Sequence, residues 1–292
     1  MVVKQKILVT GANGQLGSEL QVLAEQLPVF DFVFLTREEL SIQNGTSVEA
    51  IFDKYAPQYC INCAAYTAVD KAETDKENAF LVNAEGAANL ASACKKYNTR
   101  FVHISTDYVF DGNGAFPYAV DAPTDPQGVY GESKLEGEKK VLANNDQSVI
   151  IRTSWVYSAF GKNFVKTMLR LMSEKKEISV VSDQVGSPTY AADLAAAVMQ
   201  IVSSGDWHPG IYHYSNTGII SWYEFASAIK EIIQSNCLIN AIPSSAYPTP
   251  AKRPSYSAMD LSKIEEVYGI NPPGWKESLC ICLGAIGQAS RS

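Results

Sequence analysis

A short apolar run, Lys6 to Thr10, ends in Gly11-Ala-Asn-Gly14-Gln-Leu-Gly17 and passes directly into an amphipathic stretch reaching about Leu27. The order predicts a strand, a glycine-rich turn and a helix, the opening unit of an α/β sheet. Glycines let the backbone turn tightly and approach a pyrophosphate, whose charge is then met by backbone N–H groups and the positive end of the helix. The spacing is G-x-x-G-x-x-G rather than G-x-G-x-x-G, so the phosphate contacts are arranged differently from the usual dinucleotide fingerprint. A tight turn without a ligand would read the same way.

The units that follow repeat the alternation. A second strand, Asp31 to Leu35, ends in Thr36-Arg37, about twenty residues past the last glycine. Asp or Glu at that point meets a ribose 2′-hydroxyl, whereas Arg meets a 2′-phosphate, so Arg37 favours NADPH over NADH. Glu38 and Glu39 follow at once and could blunt that preference, and an exposed arginine opening a loop is an equally easy explanation. A helix from about Thr46 to Tyr55, stopped by Pro57, leads to a strand from Tyr59 to Ala64. Ala64, Ala65 and Tyr66 leave its carboxyl end, where small residues permit close passage of a ligand. A long helix, about Asp75 to Tyr97, carries Asn83 on its apolar stripe, either as a cofactor contact or as a satisfied buried amide. A strand from Arg100 to Ile104 then delivers Ser105 and Thr106, whose hydroxyls can hydrogen-bond a substrate carbonyl and the Tyr130 phenol together, followed by Asp107.

The chemistry falls on Tyr130-Gly-Glu-Ser-Lys134. On a helix from Tyr130 to about Leu142 the phenol and the amine share one face. A nearby ammonium favours the phenolate and is expected to lower the Tyr130 pKa toward neutrality, as a proton donor requires. Tyr-x-x-x-Lys also arises by chance on solvated helix faces; the upstream order gives this one its meaning.

With 292 residues the chain exceeds the common single-domain size, and 46% hydrophobic with 19% charged residues is ordinary for a globular protein. The net charge of -7 argues against nucleic-acid polymers and anionic membranes as partners. Mean hydropathy is -0.07, no apolar run has the length of a membrane span, and the first strand begins too early for a secretory signal, so a cytoplasmic protein is expected. Of six cysteines, Cys60 and Cys63 have C-x-x-C spacing but lie in an apolar strand-like run; no disulfide and no zinc site are expected.

The residues from Gly11 to Gly17, Asn62 to Glu73, Ser105 to Phe110, Val129 to Lys134, Arg152 to Tyr157, Asn163 to Arg170, Asp183 to Thr189 and Pro243 to Pro254 together resemble the extended short-chain dehydrogenase/reductase family, and within it the dTDP-4-dehydrorhamnose reductases. The likeness covers nearly the whole chain. It implies a Rossmann-type doubly wound parallel sheet over residues 1–152, and a smaller α/β lobe over 153–292 that holds a sugar nucleotide and returns some segments to the first domain. It implies reduction of the C4 keto group of dTDP-4-dehydro-β-L-rhamnose by NAD(P)H, in dTDP-rhamnose and surface-polysaccharide synthesis.

Carried over residue by residue, the resemblance makes Tyr130 the acid, Lys134 the holder of the nicotinamide ribose and Thr106 the group that orients the carbonyl. Gly11, Asn13, Gly14, Gln15, Leu16 and Gly17 would line the pyrophosphate turn, with Ser41 and Ile42 beside the adenosine half. Ala64, Ala65 and Tyr66 would pass the cofactor ribose. Asp107 and Trp155 would contact the sugar nucleotide, although Trp155 also reads as a core residue after a buried strand. Ser41 stands where relatives often carry an acid. Glu19 matches one glutamate of a divalent-ion site found between subunits in some members, but Ala192 replaces another, which leaves magnesium and the associated homodimer only partly carried by the resemblance.

Prolines stiffen Tyr247 to Pro254, so Arg253, with Lys252 beside it, is a candidate for the substrate diphosphate or else an exposed basic loop. Two rival readings remain at this point. A dehydratase of the same fold is opposed by Tyr108, which follows Asp107 where dehydratases pair two carboxylates, and an epimerase would be marked by NAD retained stoichiometrically through purification. A regulatory binding subunit is opposed by the intact set of Thr106, Tyr130 and Lys134.

Overall fold

The computed structural model of the protein describes residues 4–289. Strand β1 (Gln5–Thr10) is buried from Ile7 to Val9 and has a parallel neighbour on each side. One neighbour is β2 (Phe30–Leu35); the other is β3 (Tyr59–Asn62). Beyond β3 come β4 (Arg100–Thr106), β5 (Val149–Thr153) and finally the strand Gly210–Tyr214, completing a six-stranded sheet with every pairing parallel. The chain leaves β1 for β2 on one side and returns to β3 on the other. The resulting crevice at the carboxyl ends of β1 and β3 is where open α/β sheets bind ligands.

A parallel sheet covered on both faces needs strands that are apolar on both sides, and these are. Ile7 and Val9 face helix α1 (Gln15–Ala24), while Leu8 faces helix α2 (Gly45–Tyr55) on the other side. The residues past Thr153 do not stay apart from this layer. The helix Ala191–Ser203 packs on α1, and Gly210–Tyr214 forms the sheet edge. Ile264, Tyr268 and Ile270 pack there too, while other segments build a second core around Tyr157, Met168, Ile178 and Phe225. Its strands Glu177–Val181 and Leu238–Ile242 pair in parallel, and its helices Phe164–Glu174 and Trp222–Ile232 are capped by Asn163 and by a Ser221–Glu224 capping box.

Three boundaries differ from the sequence reading, each for a local reason. Strand β3 ends at Asn62, not Ala64, because the Asn62 Oδ1 takes the Ala64 N–H at 3.1 Å and turns the backbone out of the sheet. Strand β4 runs on through Ser105 and Thr106, which pair with Arg152 and Thr153, so these hydroxyls sit in the sheet itself. The long helix expected from Asp75 to Tyr97 is broken by a π-helical segment, Leu81–Gly86, between Lys76–Phe80 and Ala87–Lys96. The wider turn carries Asn83 across to the Tyr66 backbone, a placement typical of π segments at functional sites.

Candidate active site

The helix Val129–Asn144 opens without a capping side chain of its own; instead Glu73 accepts the Val129 N–H at 2.9 Å. Lys134, one turn in, is 2% exposed and donates from Nζ to the Ile104 carbonyl oxygen at 2.6 Å. Burial pulls its pKa down to about 8, and the Glu138 carboxylate a turn further along partly opposes that. Glu138 is itself held by Ser105 Oγ at 2.5 Å and by Arg152 in a buried two-bond ion pair.

Tyr130 departs from the expectation set by its spacing from Lys134. Burial raises its pKa above the ordinary phenol range, Asp107 and Tyr108 add to the rise, and only a hydrogen bond with Thr106 opposes it. The lysine does not lower it here; its ammonium is bonded to the Ile104 carbonyl oxygen. Thr106 caps the turn after β4, accepting the Tyr108 N–H at 3.2 Å and donating to Asp107 Oδ1 at 2.9 Å. The Asp107 carboxyl is pushed up to about 7 by burial, with Thr106 opposing the rise through its bond to Oδ1 while Oδ2 is buried without a partner. Thr106, Asp107, Tyr130 and Lys134 therefore meet at one place at the carboxyl end of β4.

Beside it a cavity of about 350 Å³ is lined by Gly11, Asn13, Gly14, Arg37, Ser41, Ile42, Ala64, Ala65 and Tyr66, among others. Gly11 has φ of +68°, and a Cβ there would lie 2.6 Å from the Ala64 nitrogen. A Cβ on Gly17 would lie 2.4 Å from the Gly11 carbonyl oxygen, so this glycine presses the start of α1 against the turn. The cradle of bare backbone and helix N-terminus fits a dinucleotide pyrophosphate. Glu39 accepts the Thr36 N–H at 2.8 Å, a bond that lowers its pKa and folds it back on its own loop while Arg37 lines the cavity.

Three expected cofactor residues are engaged elsewhere. The Leu16 side chain lies in the core beneath the sheet, leaving only its backbone toward the turn. The Gln15 side chain reaches the second lobe, accepting from Asn163 Nδ2 at 2.9 Å and donating to the Val156 oxygen at 3.3 Å. Asn83 has all its bonds to protein: it accepts the Tyr66 N–H and donates to the Tyr66 oxygen and Ser133 Oγ, bracing the ribose-side segment against the Tyr130 helix. Among the described residues no group of three or more His, Cys, Asp or Glu side chains could hold a metal ion, and all six cysteines are free thiols. Glu19 accepts from Ser158 Oγ at 2.6 Å, and burial raises its pKa.

A larger cleft of about 710 Å³ adjoins the triad on the other side, lined by Tyr108, Trp155, Phe164, Trp222 and Arg253. Trp155 is not a core residue. It adopts φ of +49°, unusual for a bulky side chain, and stacks on Trp222 with ring centroids 3.5 Å apart. Arg253 lines the cleft but is paired with Asp70 at 2.7 Å, while Lys252 turns to Gln127. Sequence reasoning missed Asp70, Glu73 and Trp222. The first two lie within the Asn62 to Glu73 motif but offer no local sign of partners far along the chain, and Trp222 reads as an ordinary first residue of a helix.

Comparison with known proteins matches residues 5–287 to the RmlD substrate binding domain family. The spore coat polysaccharide biosynthesis protein SpsK of Bacillus subtilis is 46% identical over 94% of this chain and 95% of its own. The dTDP-4-dehydrorhamnose reductase of Aggregatibacter actinomycetemcomitans is 42% identical over 94% and 97%. The crystal structure of dTDP-4-dehydrorhamnose reductase from Bacillus anthracis, solved in complex with NADP, superposes with a TM-score of 0.92 at 38% identity, covering 97% of this chain and all of that one. Together with the nucleotide cradle, the Thr106–Tyr130–Lys134 cluster and the tryptophan-walled cleft, these likenesses show that the chain belongs to the dTDP-4-dehydrorhamnose reductase family of extended short-chain dehydrogenase/reductases.

Proposed function

We propose that the protein reduces the C4 keto group of dTDP-4-dehydro-β-L-rhamnose to give dTDP-β-L-rhamnose, a cytoplasmic step in dTDP-rhamnose and surface-polysaccharide synthesis. The observation that carries this reading is the Thr106–Tyr130–Lys134 cluster, buried at Thr106 and Lys134, whose half-buried Tyr130 packs in one cluster with Tyr66 of the cavity suited to a dinucleotide and edge-on against Tyr108 of the cleft suited to a sugar nucleotide. A reduced nicotinamide bound in the first cavity supplies the hydride to C4. Tyr130 delivers a proton to O4, and Thr106, whose hydroxyl lies close enough to favour the phenolate of Tyr130, orients the carbonyl. The positive charge of Lys134 stabilises the negative charge that grows on O4, in a site from which burial has removed most water. Arg37 at the cavity rim favours NADPH, since Glu39, its nearby competitor, is occupied with Thr36.

The test is oxidation of NADPH, followed by its absorbance, on addition of dTDP-4-dehydro-β-L-rhamnose. Turnover that needs the sugar and falls by about 10²- to 10⁴-fold in Tyr130→Phe is expected. Folded wild-type protein that binds both ligands without turnover would refute the assignment.

A further inference from the structure

One short stretch, residues 64–73, borders the cofactor cavity, the sugar-nucleotide cleft and the start of the helix that carries Tyr130. Its first residues, Ala64 to Ala68, line the cofactor cavity, and the Tyr66 backbone is clasped by Asn83. Its far end, Glu73, caps the helix that carries Tyr130 and Lys134. In the middle, on the turn of helix Val69–Ala72, Asp70 faces the cleft.

Asp70 engages the opposite wall with both oxygens. Oδ2 accepts from Arg253 Nη2 at 2.7 Å, and Oδ1 accepts the Ala251 N–H at 3.2 Å. One carboxylate thus fixes both the backbone and the guanidinium of the proline-bounded segment. Arg253 has five N–H donors. One goes to Asp70 and another, at the long distance of 3.4 Å, to the Tyr108 hydroxyl, which leaves the rest for an anion in the cleft that Arg253 lines. A long side chain oriented before its ligand arrives has less rotamer freedom to lose on binding, and a planar fork held on one edge presents its other edge in a fixed direction.

We propose that Asp70 is a positioning residue for the diphosphate of the sugar nucleotide: it aims Arg253 into the cleft and ties that arginine to the segment that borders the cofactor. The inference rests on the reading of the cleft as the sugar-nucleotide site. Asp70 does not touch the reacting atoms; it acts through Arg253. Its carboxylate removes some of the cationic attraction of the arginine, and the geometry makes orientation the larger effect, because an undirected guanidinium cannot form two parallel bonds to phosphate oxygens.

The experiment is a double-mutant cycle of Asp70→Asn and Arg253→Ala in the full chain, read by calorimetric binding of dTDP and by steady-state turnover with saturating NADPH. Asparagine keeps an acceptor for the Ala251 N–H and removes the charge that orients the guanidinium. Asp70→Asn alone should weaken dTDP binding, and raise KM for the sugar nucleotide, by about tenfold, with kcat within about twofold of wild type. In the Arg253→Ala background the same change should shift dTDP binding by less than about twofold. Unchanged or tighter dTDP binding in Asp70→Asn, an equal loss in both backgrounds, or wild-type protein that does not bind dTDP would each overturn the inference. Wild-type protein that binds dTDP with the predicted coupling but does not turn over would leave the inference standing and remove the reductase assignment instead.

Discussion

Lys134 is a lysine enclosed by protein: its ammonium meets the Ile104 carbonyl at 2.6 Å, and burial holds its pKa at about 8. Its folded value is depressed relative to about 10.4 in the unfolded chain. Below about pH 8 the charge is present in both states and its burial opposes folding; between the two values the folded chain has released the proton, so this opposition is relieved as pH rises. On the proposed mechanism activity has the opposite dependence, since the charge would serve O4 only while the proton is bound. In the pH profile of kcat/KM for wild type, a basic limb with a midpoint near 8 is expected. Lys134→Arg, whose charge does not titrate, should lose that limb from whatever activity remains; an unmoved limb would assign it to another group. The Tyr-x-x-x-Lys spacing was legible in the sequence, and so was the shared helix face. The partners were not, because the Ile104 carbonyl and the Thr106 hydroxyl come from β4, and only packing brings them to this helix.

At the scale of elements, the helix Val129–Asn144 lies so close to the π segment Leu81–Gly86 that a Cβ on Gly137 would stand 2.2 Å from the Asn83 carbonyl oxygen. The same Asn83 clasps Tyr66, so helix contact and cofactor segment are one assembly. Gly137→Ala should force the two helices apart and destabilise the fold by about 1–3 kcal/mol, an overpacking effect, and should raise KM for NADPH through the displaced Tyr66 segment. Thermal unfolding and cofactor kinetics on the same preparation check both; a change in Tm without a change in KM would separate helix packing from the cofactor segment. Periodicity gave the helix from about residue 75 to 97 but not the π segment, since one wider turn barely disturbs an apolar stripe rich in alanine. What specifies it is the tertiary demand that Asn83 reach Tyr66 and Ser133 together.

For the whole molecule, binding in the proposed cofactor cavity or sugar-nucleotide cleft is linked to the stability of the folded chain. A ligand at a hundredfold excess over its Kd contributes about 2.7 kcal/mol. At equal concentrations NADPH should therefore raise Tm more than NADH does, and Arg37→Ala should abolish the difference while leaving the shift with NADH intact. Equal shifts in wild type would show that Arg37 does not read the 2′-phosphate.

The sequence by itself determined the βα alternation, the glycine cradle and the placement of Tyr130 with Lys134, because each depends on residues near one another in the chain: apolar period, backbone freedom and helical spacing. Its motifs also carried the family. Only the tertiary structure decided that Gly210–Tyr214 closes the first domain's sheet, that Trp155 leaves the core to stack on Trp222, and that Asp70 meets Arg253 across the cleft. Each of those joins residues far apart in the chain, where contact is set by how the sheet, the helices and the second core pack together, and no local pattern of residue types encodes it.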